Sequence, residues 1–317
     1  GLKIKSDLDK IIGQFLRYFE SREYTISPSS ELITDDETIL FTNDTITPWK
    51  SFLVERNIPE QGLCMRQPSL RLQGLRDTIC EENKLELVPE RFLGYFNALG
   101  ILTGKPKREI QLEILELLLG SYSISPRDVR VYAQKDMEFL DEIGKTIEVT
   151  NDSNPKIYYQ WGYGLEGIIG RGATFTLLQR ENDPQEIGQL IQIQDSSGEL
   201  IGYEFGFGAE TFLSRKNNNK VYSAWSIYDA IEEKHLCFKT LLDNYSSLGA
   251  ILSIPSNLMG ERHKTEKDKI LRNISLLQHT FSLSTRWSES VLRNFLQLEF
   301  DKRLGVEISR DLDFQHQ

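Results

Sequence analysis

The chain has little of what metal and disulfide chemistry needs. Its three cysteines, Cys64, Cys80 and Cys237, are scattered over 317 residues. Their odd number and wide spacing argue against a disulfide framework or a zinc site and suit a reducing compartment. The four histidines, His235, His263, His279 and His316, show no ligand spacing, so metal-hydrolase chemistry lacks its usual donors. Long apolar runs are missing too. Without a stretch of about 18 apolar residues, no transmembrane helix and no membrane partner are expected. The opening GLKIKSDLDK lacks the apolar core of a signal peptide, which leads us to expect a cytoplasmic protein. Positive charge is short overall. A net charge of −10 speaks against a general nucleic-acid binder. The one basic excess is local: residues 260–303 hold nine Lys or Arg against six Asp or Glu. That run reads either as solvated helix faces or as a modest basic surface.

What is present is the composition of a globular chain, 39% hydrophobic and 26% charged, long enough for one large domain or two ordinary ones. Leu8, Ile11, Ile12, Phe15, Leu16 and Phe19 recur at helical spacing, with Ser6 and Asp9 as a capping pair. Tyr24–Ser27 and TILFTN (38–43) read as strands. KREIQLEILELLLG (107–120) reads as a helix stopped by Gly120, and VRVYA (129–133) as the strand after Pro126. Strand signals continue at Ala173–Leu178, Ile187–Gln194 and Glu199–Phe207, the last two joined by a DSSG turn. EFGFGAETFLSR (204–215) then carries a strand through spaced glycines into a helix. Beyond about residue 225 strand signals stop, and Ile227–Leu242, Thr265–Leu277 and Ser288–Leu304 read as helices. The expected fold is α+β: an antiparallel sheet flanked by helices over 1–225, followed by a small all-helical domain over 226–317.

An ordered series of motifs sharpens this. Ser29, Ser30 and Leu32, LFTN (40–43) and QPSLR (67–71) resemble the "SS-L", "LFTNAGM" and "QP-C/S-I-R" elements that open the alanyl-tRNA synthetases, most like the archaeal branch. ERFLGYFNALG (90–100) is similar to the family's second-motif strand, and SPRDVRVYAQKD (125–136) to the segment before its substrate pocket. GYGLEGIIGRGATFTLL (162–178) is similar to its "GPAxEVLxRGLEVATLVF" stretch, and EFGFGAET (204–211) to the third motif, "DTGYGLER". IPSN (254–257), ahead of LRN (271–273), resembles the opening of the helical tRNA-recognition domain. The resemblance runs in order over residues 8–273 and implies the class II synthetase fold.

It also implies roles. Activating a carboxylate with ATP, carried by Mg2+, needs cations around the α-phosphate as charge builds there. Arg71 matches the second-motif arginine, whose planar fork suits a phosphate and a carboxylate together; on its own it reads as a surface ion pair. Phe96 matches the aromatic on which adenine stacks, or is a core phenylalanine. Arg91 matches a family arginine, or caps a loop. Asn97 stands where the family has a glutamate. Gly208, Glu210 and Thr211 complete the nucleotide side, and Thr211 replaces the arginine that holds the γ-phosphate end of ATP. A hydroxyl does not replace that charge. Arg215, one turn further, lies on the same helix face, with its base about 6 Å further along the axis. On the amino-acid side Glu204 stands for the aspartate that holds the substrate's amino group. Glu166 matches the acid of the family's "GPxxE" stretch, Trp161 is a pocket wall or a core aromatic, and Gly206 lets the backbone approach a ligand. Asn257 matches the asparagine that reads the tRNA acceptor stem, or is a helix cap.

These residues imply ATP-dependent activation of a small amino acid as its adenylate and transfer to an acceptor: tRNA, a carrier protein or a small molecule. Two further readings stay open, a non-catalytic paralogue that binds tRNA or a partner protein, and an aminoacyl transferase that no longer uses ATP. Thr211 favours the latter two. The retained Arg71, Glu166, Glu204 and Glu210 favour an enzyme.

Overall fold

The computed structural model describes residues 2–72, 93–134, 137–152, 159–179, 182–218 and 238–313. The chain opens with α1 (Leu2–Ser21), whose Leu8, Ile11, Phe15 and Phe19 form one buried stripe. The helix begins at Leu2, so Ser6 and Asp9 lie inside it and do not cap it. β1 (Thr25–Ile26) follows. The expected strand at 38–43 is irregular chain instead. Asp36 caps a local turn by accepting from the Thr38 N–H at 3.0 Å. Thr42 then docks by single bonds, donating its N–H to the Leu32 carbonyl (2.7 Å) while its own carbonyl accepts from Leu70 (2.9 Å). Local side-chain bonding of this kind competes with a ladder.

α2 (Lys50–Val54), β2 (Leu63–Leu70) and β3 (Tyr95–Thr103) come next. α3 (Lys107–Leu115) runs on through a π-type turn over Glu116–Ser121, close to the predicted stop. Then come β4 (Val129–Ala133), β5 (Glu148–Asn151), β6 (Gln160–Trp161), β7 (Ile168–Gln179), β8 (Asn182–Asp195), β9 (Leu200–Gly208) and α4 (Ala209–Lys216). The β8–β9 turn forms at DSSG as expected. Asp195 accepts from the Ser197 and Glu199 N–H groups at 2.9 Å each, and Gly198 takes a φ of 84°. The remaining helices are α5 (Phe238–Leu252), α6 (Glu261–Phe281), α7 (Thr285–Phe300) and α8 (Ile308–Leu312). Residues 227–237 of the expected helix 227–242 lie outside the described residues.

Nine described strands form one sheet in the order β1-β2-β3-β9-β8-β7-β4-β5, with β6 paired to β7. It is antiparallel apart from two short parallel pairs, β1 with β2 and β4 with β5. Strand alternation sorts its two faces. Tyr203, Phe205 and Phe207 of β9 point into a core shared with α1, α3 and α4. There Phe207 stacks on Phe212 at 4.5 Å, and Phe15 meets Phe207 edge-on at 5.4 Å. Glu204, Gly206 and Gly208 fall on the opposite, front face. Ile46, Trp49, Leu53, Met65, Leu102, Ile191 and Ile193 make a second core on that side. A third core joins Leu32, Phe41, Leu70 and Tyr95 to α5, α6, α7 and α8.

Candidate active site

The front face is floored by glycines. Gly100 of β3 pairs with Gly206 of β9, and Gly170 and Gly172 of β7 pair with Ile193 and Ile191 of β8. Each glycine makes room for something. A Cβ at Gly170 would sit 2.8 Å from the Tyr163 hydroxyl, and one at Gly172 would sit 2.7 Å from Cζ3 of Trp161. Thr45 is packed directly on Gly100. At Gly206 a Cβ would lie 2.6 Å from the Leu99 carbonyl, so close strand packing already requires this glycine. A Cβ at Gly208 would meet Phe96 Cδ2 at 3.6 Å and Thr211 Oγ1 at 3.9 Å, ordinary van der Waals contact without a clash.

One end of this floor is cationic. Arg71 follows β2, and its guanidinium carbon lies 5.0 Å from the centre of the Phe96 ring. Its Nε donates to the Asn43 carbonyl at 3.1 Å, which orients the head group. Crowding by the protein lowers its pKa, opposed by the charges of Asp44 and Glu186, and it remains a cation. Asn43 ends the LFTN stretch, so the sequence motif and the arginine meet here. The Ser-Ser turn joins the same structure. The Ser30 N–H donates to Gln67 Oε1 at 2.8 Å, and Gln67 Nε2 donates back to the Ser30 carbonyl at 3.0 Å.

The other end is acidic. Glu204 accepts a hydrogen bond at Oε2 from the Tyr163 hydroxyl at 2.9 Å. Burial, and then the nearby charge of Asp44, push its pKa up to about 8, while the tyrosine bond pulls it down. Burial and Glu204 together hold the Tyr163 hydroxyl well above its ordinary range. Tyr163 takes a φ of 57°, between Gly162 and Gly164, and that turn brings the ring back over β7. Asp44 is held by Thr47, whose N–H and hydroxyl both donate to Oδ1, at 2.9 and 2.6 Å. Neither Tyr163 nor Asp44 was singled out from the sequence. The signals were the Gly-Tyr-Gly triplet and the Asp-x-x-Thr turn.

The face therefore gathers Arg71, Phe96, Gly206, Gly208 and Thr211 at one end and Trp161 and Glu204 at the other. It does not gather all the expected residues. Asn97 alternates with Phe96 along β3 and is fully buried on the far side, where Arg66 Nε donates to its Oδ1 at 2.6 Å. Glu210 is buried with it. Its two oxygens accept from the Asn97 N–H at 3.1 and 2.9 Å, and Oε1 also accepts from Asn97 Nδ2 at 2.6 Å. The carboxylate takes over where the β9 backbone leaves the ladder at Gly208. Burial raises the Glu210 pKa to about 7; the Asn97 bonds oppose this and Glu299 adds to it. Arg215 runs the other way. Its Nη1 donates to Gln185 Oε1 at 3.1 Å, and it lines a cavity with Ser123, Ile124, Asp128 and Leu177 on the α1–α3 side. Among the described residues, nothing shown brings it to Thr211. Glu166 is exposed in the turn before β7, and Tyr163 meets Glu204 instead. Asn257 is exposed in a short 3-10 turn between α5 and α6. Arg91 lies outside the described residues. No group of three or more His, Cys, Asp or Glu able to hold a metal occurs among the described residues. No helix among them is long and apolar enough to cross a membrane.

No family model matches the chain. Over 141 residues, 43% of this chain, it is 29% identical to an alanine–tRNA ligase of Christiangramia forsetii, and the match spans 16% of that protein's length. Among solved structures it is similar to an Entamoeba histolytica asparaginyl-tRNA synthetase in complex with asparaginyl-adenylate. That similarity has a TM-score of 0.44 and 9% identity, and covers 71% of this chain and 66% of the other. It is also similar to an apo S. aureus histidyl-tRNA synthetase, with a TM-score of 0.41 and 11% identity over 66% and 70% of the two chains.

Proposed function

We propose that this class II aminoacyl-tRNA synthetase-like protein activates an amino acid as its adenylate and passes it to an acceptor. The observation that carries the reading is the two-ended front face. Arg71 stands beside Phe96 at one end, and Glu204 with Tyr163 stands at the other, across a glycine floor. In this reading the amino acid's ammonium sits on Glu204 and its carboxylate points toward Arg71. The carboxylate attacks the α-phosphate of ATP, the bond to the β-phosphate breaks, and pyrophosphate leaves. The Nη groups of Arg71 have no partner shown among the described residues and are available for the charge that develops there. Adenine stacks on the Phe96 ring.

Mg2+ would enter with ATP. It keeps phosphate oxygens and water as its ligands, so it needs no ligand from a protein side chain. It supplies charge neutralisation on the phosphates. We assign residues 1–225 to activation and 226–317 to acceptor recognition, with Asn257 as a contact to a tRNA acceptor stem.

The test is exchange of labelled pyrophosphate into ATP across a panel of amino acids. Exchange with at least one amino acid is expected, with loss of about 100-fold or more in Arg71→Ala, as for removal of one transition-state donor. Thr211 carries the second reading, since its hydroxyl leaves the γ-phosphate end of ATP without the charge an arginine supplies. Absence of exchange together with absence of ATP binding by calorimetry sinks the first reading and favours a binding paralogue or an ATP-independent transferase.

A further inference from the structure

The acidic end of the face holds two carboxylates where one ammonium needs one. Glu204 comes from β9 and Asp44 from the chain that follows LFTN. They are brought together by packing. Thr45 sits on Gly100, Gly100 is the cross-strand partner of Gly206, and Glu204 lies two residues along β9 on the same face. Asp44 is fixed there because Oδ1 accepts both Thr47 bonds, and Oδ2 has no hydrogen-bond partner among the described residues. Its charge acts on Glu204, Tyr163 and Arg71. Apolar side chains line this end of the face. Met65, Leu102 and Ile191 are buried and apolar, and Trp161 packs beside them. Among the described residues, no Lys, Arg or His makes an ion pair with Asp44 or Glu204. Lys50, the nearest such candidate along the chain, is paired with Asp36 at 2.8 Å.

The charges decide what fits. Arg71 contributes +1, and Asp44, Glu204 and Glu186, whose charge also acts on Arg71, contribute −1 each once ionised. An ordinary zwitterionic amino acid adds no net charge and leaves at least one carboxylate uncompensated in a partly dry site, which is costly. An amino acid with a second ammonium offers one to each acid of the Asp44–Glu204 pair, with its carboxylate on Arg71. We propose that Asp44 is a specificity-determining residue, and that with Glu204 it selects an amino acid carrying a second, side-chain amine.

This rests on the reading of the face as an amino-acid site and deepens it. The experiment is calorimetric binding to the full chain, with and without ATP, of three near-isosteric probes: 2,4-diaminobutyrate, homoserine and 2-aminobutyrate. The diamino acid is expected to bind about tenfold or more tightly than either monoamino acid, the size of a modest charge-assisted contact. Asp44→Asn keeps an acceptor for Thr47 and is expected to fold, which circular dichroism checks. It should cut the preference to less than about threefold, which leaves under about 0.7 kcal/mol of discrimination. Equal or tighter binding of the monoamino acids overturns the proposal and leaves the adenylation reading standing. An undiminished preference in a folded Asp44→Asn does the same. Failure of all three probes, combined with pyrophosphate exchange only on amino acids that lack a side-chain amine, also overturns it. Failure of every amino acid with no exchange overturns both.

Discussion

Glu210 is a buried carboxylate that anchors the start of α4 to β3. Its carboxylate is spent on the Asn97 backbone and side chain, inside a buried chain of contacts that continues through Arg66 to Glu299 at 3.6 Å. Tyr95 adds a hydrogen bond to Glu299 at 3.0 Å. A pKa of about 7 against an ordinary 4.5 means that the folded state holds this proton more tightly than the unfolded one. The stabilising contribution is therefore full below pH 4.5 and is lost as pH rises toward 7. Glu204, raised to about 8, acts with the same sign over a wider window. The melting temperature is expected to fall between pH 5.5 and pH 8. Glu210→Gln, which keeps an acceptor for Asn97, should flatten that slope by about 1–3 kcal/mol, given about 1.4 kcal/mol per pKa unit. A variant whose pH profile runs parallel to the parent's contradicts the assignment. Side-chain direction of this kind was not legible beforehand. Phe96 and Asn97 are neighbours in sequence, and only the pleat of β3 sends one to the front face and the other into the interior.

Strands and turns show where sequence patterns are strong. β4, β7, β8, β9 and the DSSG turn lie close to where alternation and turn residues put them, because those signals are local. The misses are also physical. The 38–43 segment has strand-like residues but bonds through single contacts to Leu32 and Leu70, and α1 begins four residues before its apparent cap. The glycines of β7 carry information that strand propensity does not. Gly172→Ala puts a Cβ 2.7 Å from Trp161 and 2.9 Å from the Leu190 carbonyl. It should destabilise the fold by about 1–3 kcal/mol, as overpacking does. Gly208→Ala meets nothing nearer than 3.6 Å and should leave the melting temperature within a degree or two, while weakening ATP binding. Thermal melts and ATP titrations of the two variants separate packing from ligand space. If both variants behave alike, the front face is a packing surface only.

Across the molecule, the helical region is tied into the site. Its helices share a core with Leu32, Phe41, Leu70 and Tyr95, and Asp243 of α5 accepts from the Gly94 N–H at 2.7 Å, next to β3. His263 of α6 makes the closest link to the LFTN stretch. Its Nδ1 accepts from the Gly260 N–H at 2.9 Å, so Nε2 carries the proton and donates to the Leu40 carbonyl at 2.9 Å. The imidazole also packs on Phe41 at 5.2 Å. Leu40 lies three residues before the Asn43 carbonyl that orients Arg71. His263→Ala, far from any ligand contact named here, should lower the exchange rate about threefold to tenfold through Arg71 and cost about 1 kcal/mol of stability, the net worth of one hydrogen bond. Unchanged exchange in a destabilised variant makes the contact structural only. The sequence by itself determined the class of fold, the succession of most strands and helices and the presence of a threonine at 211, because residue identity and local periodicity are properties of neighbours along the chain. Tertiary structure alone decided which residues share a face. It set Asp44 and Tyr163 beside Glu204, turned Asn97, Glu210 and Arg215 away, and bound the helices to the LFTN stretch, because those outcomes depend on strand register and packing between segments tens to hundreds of residues apart.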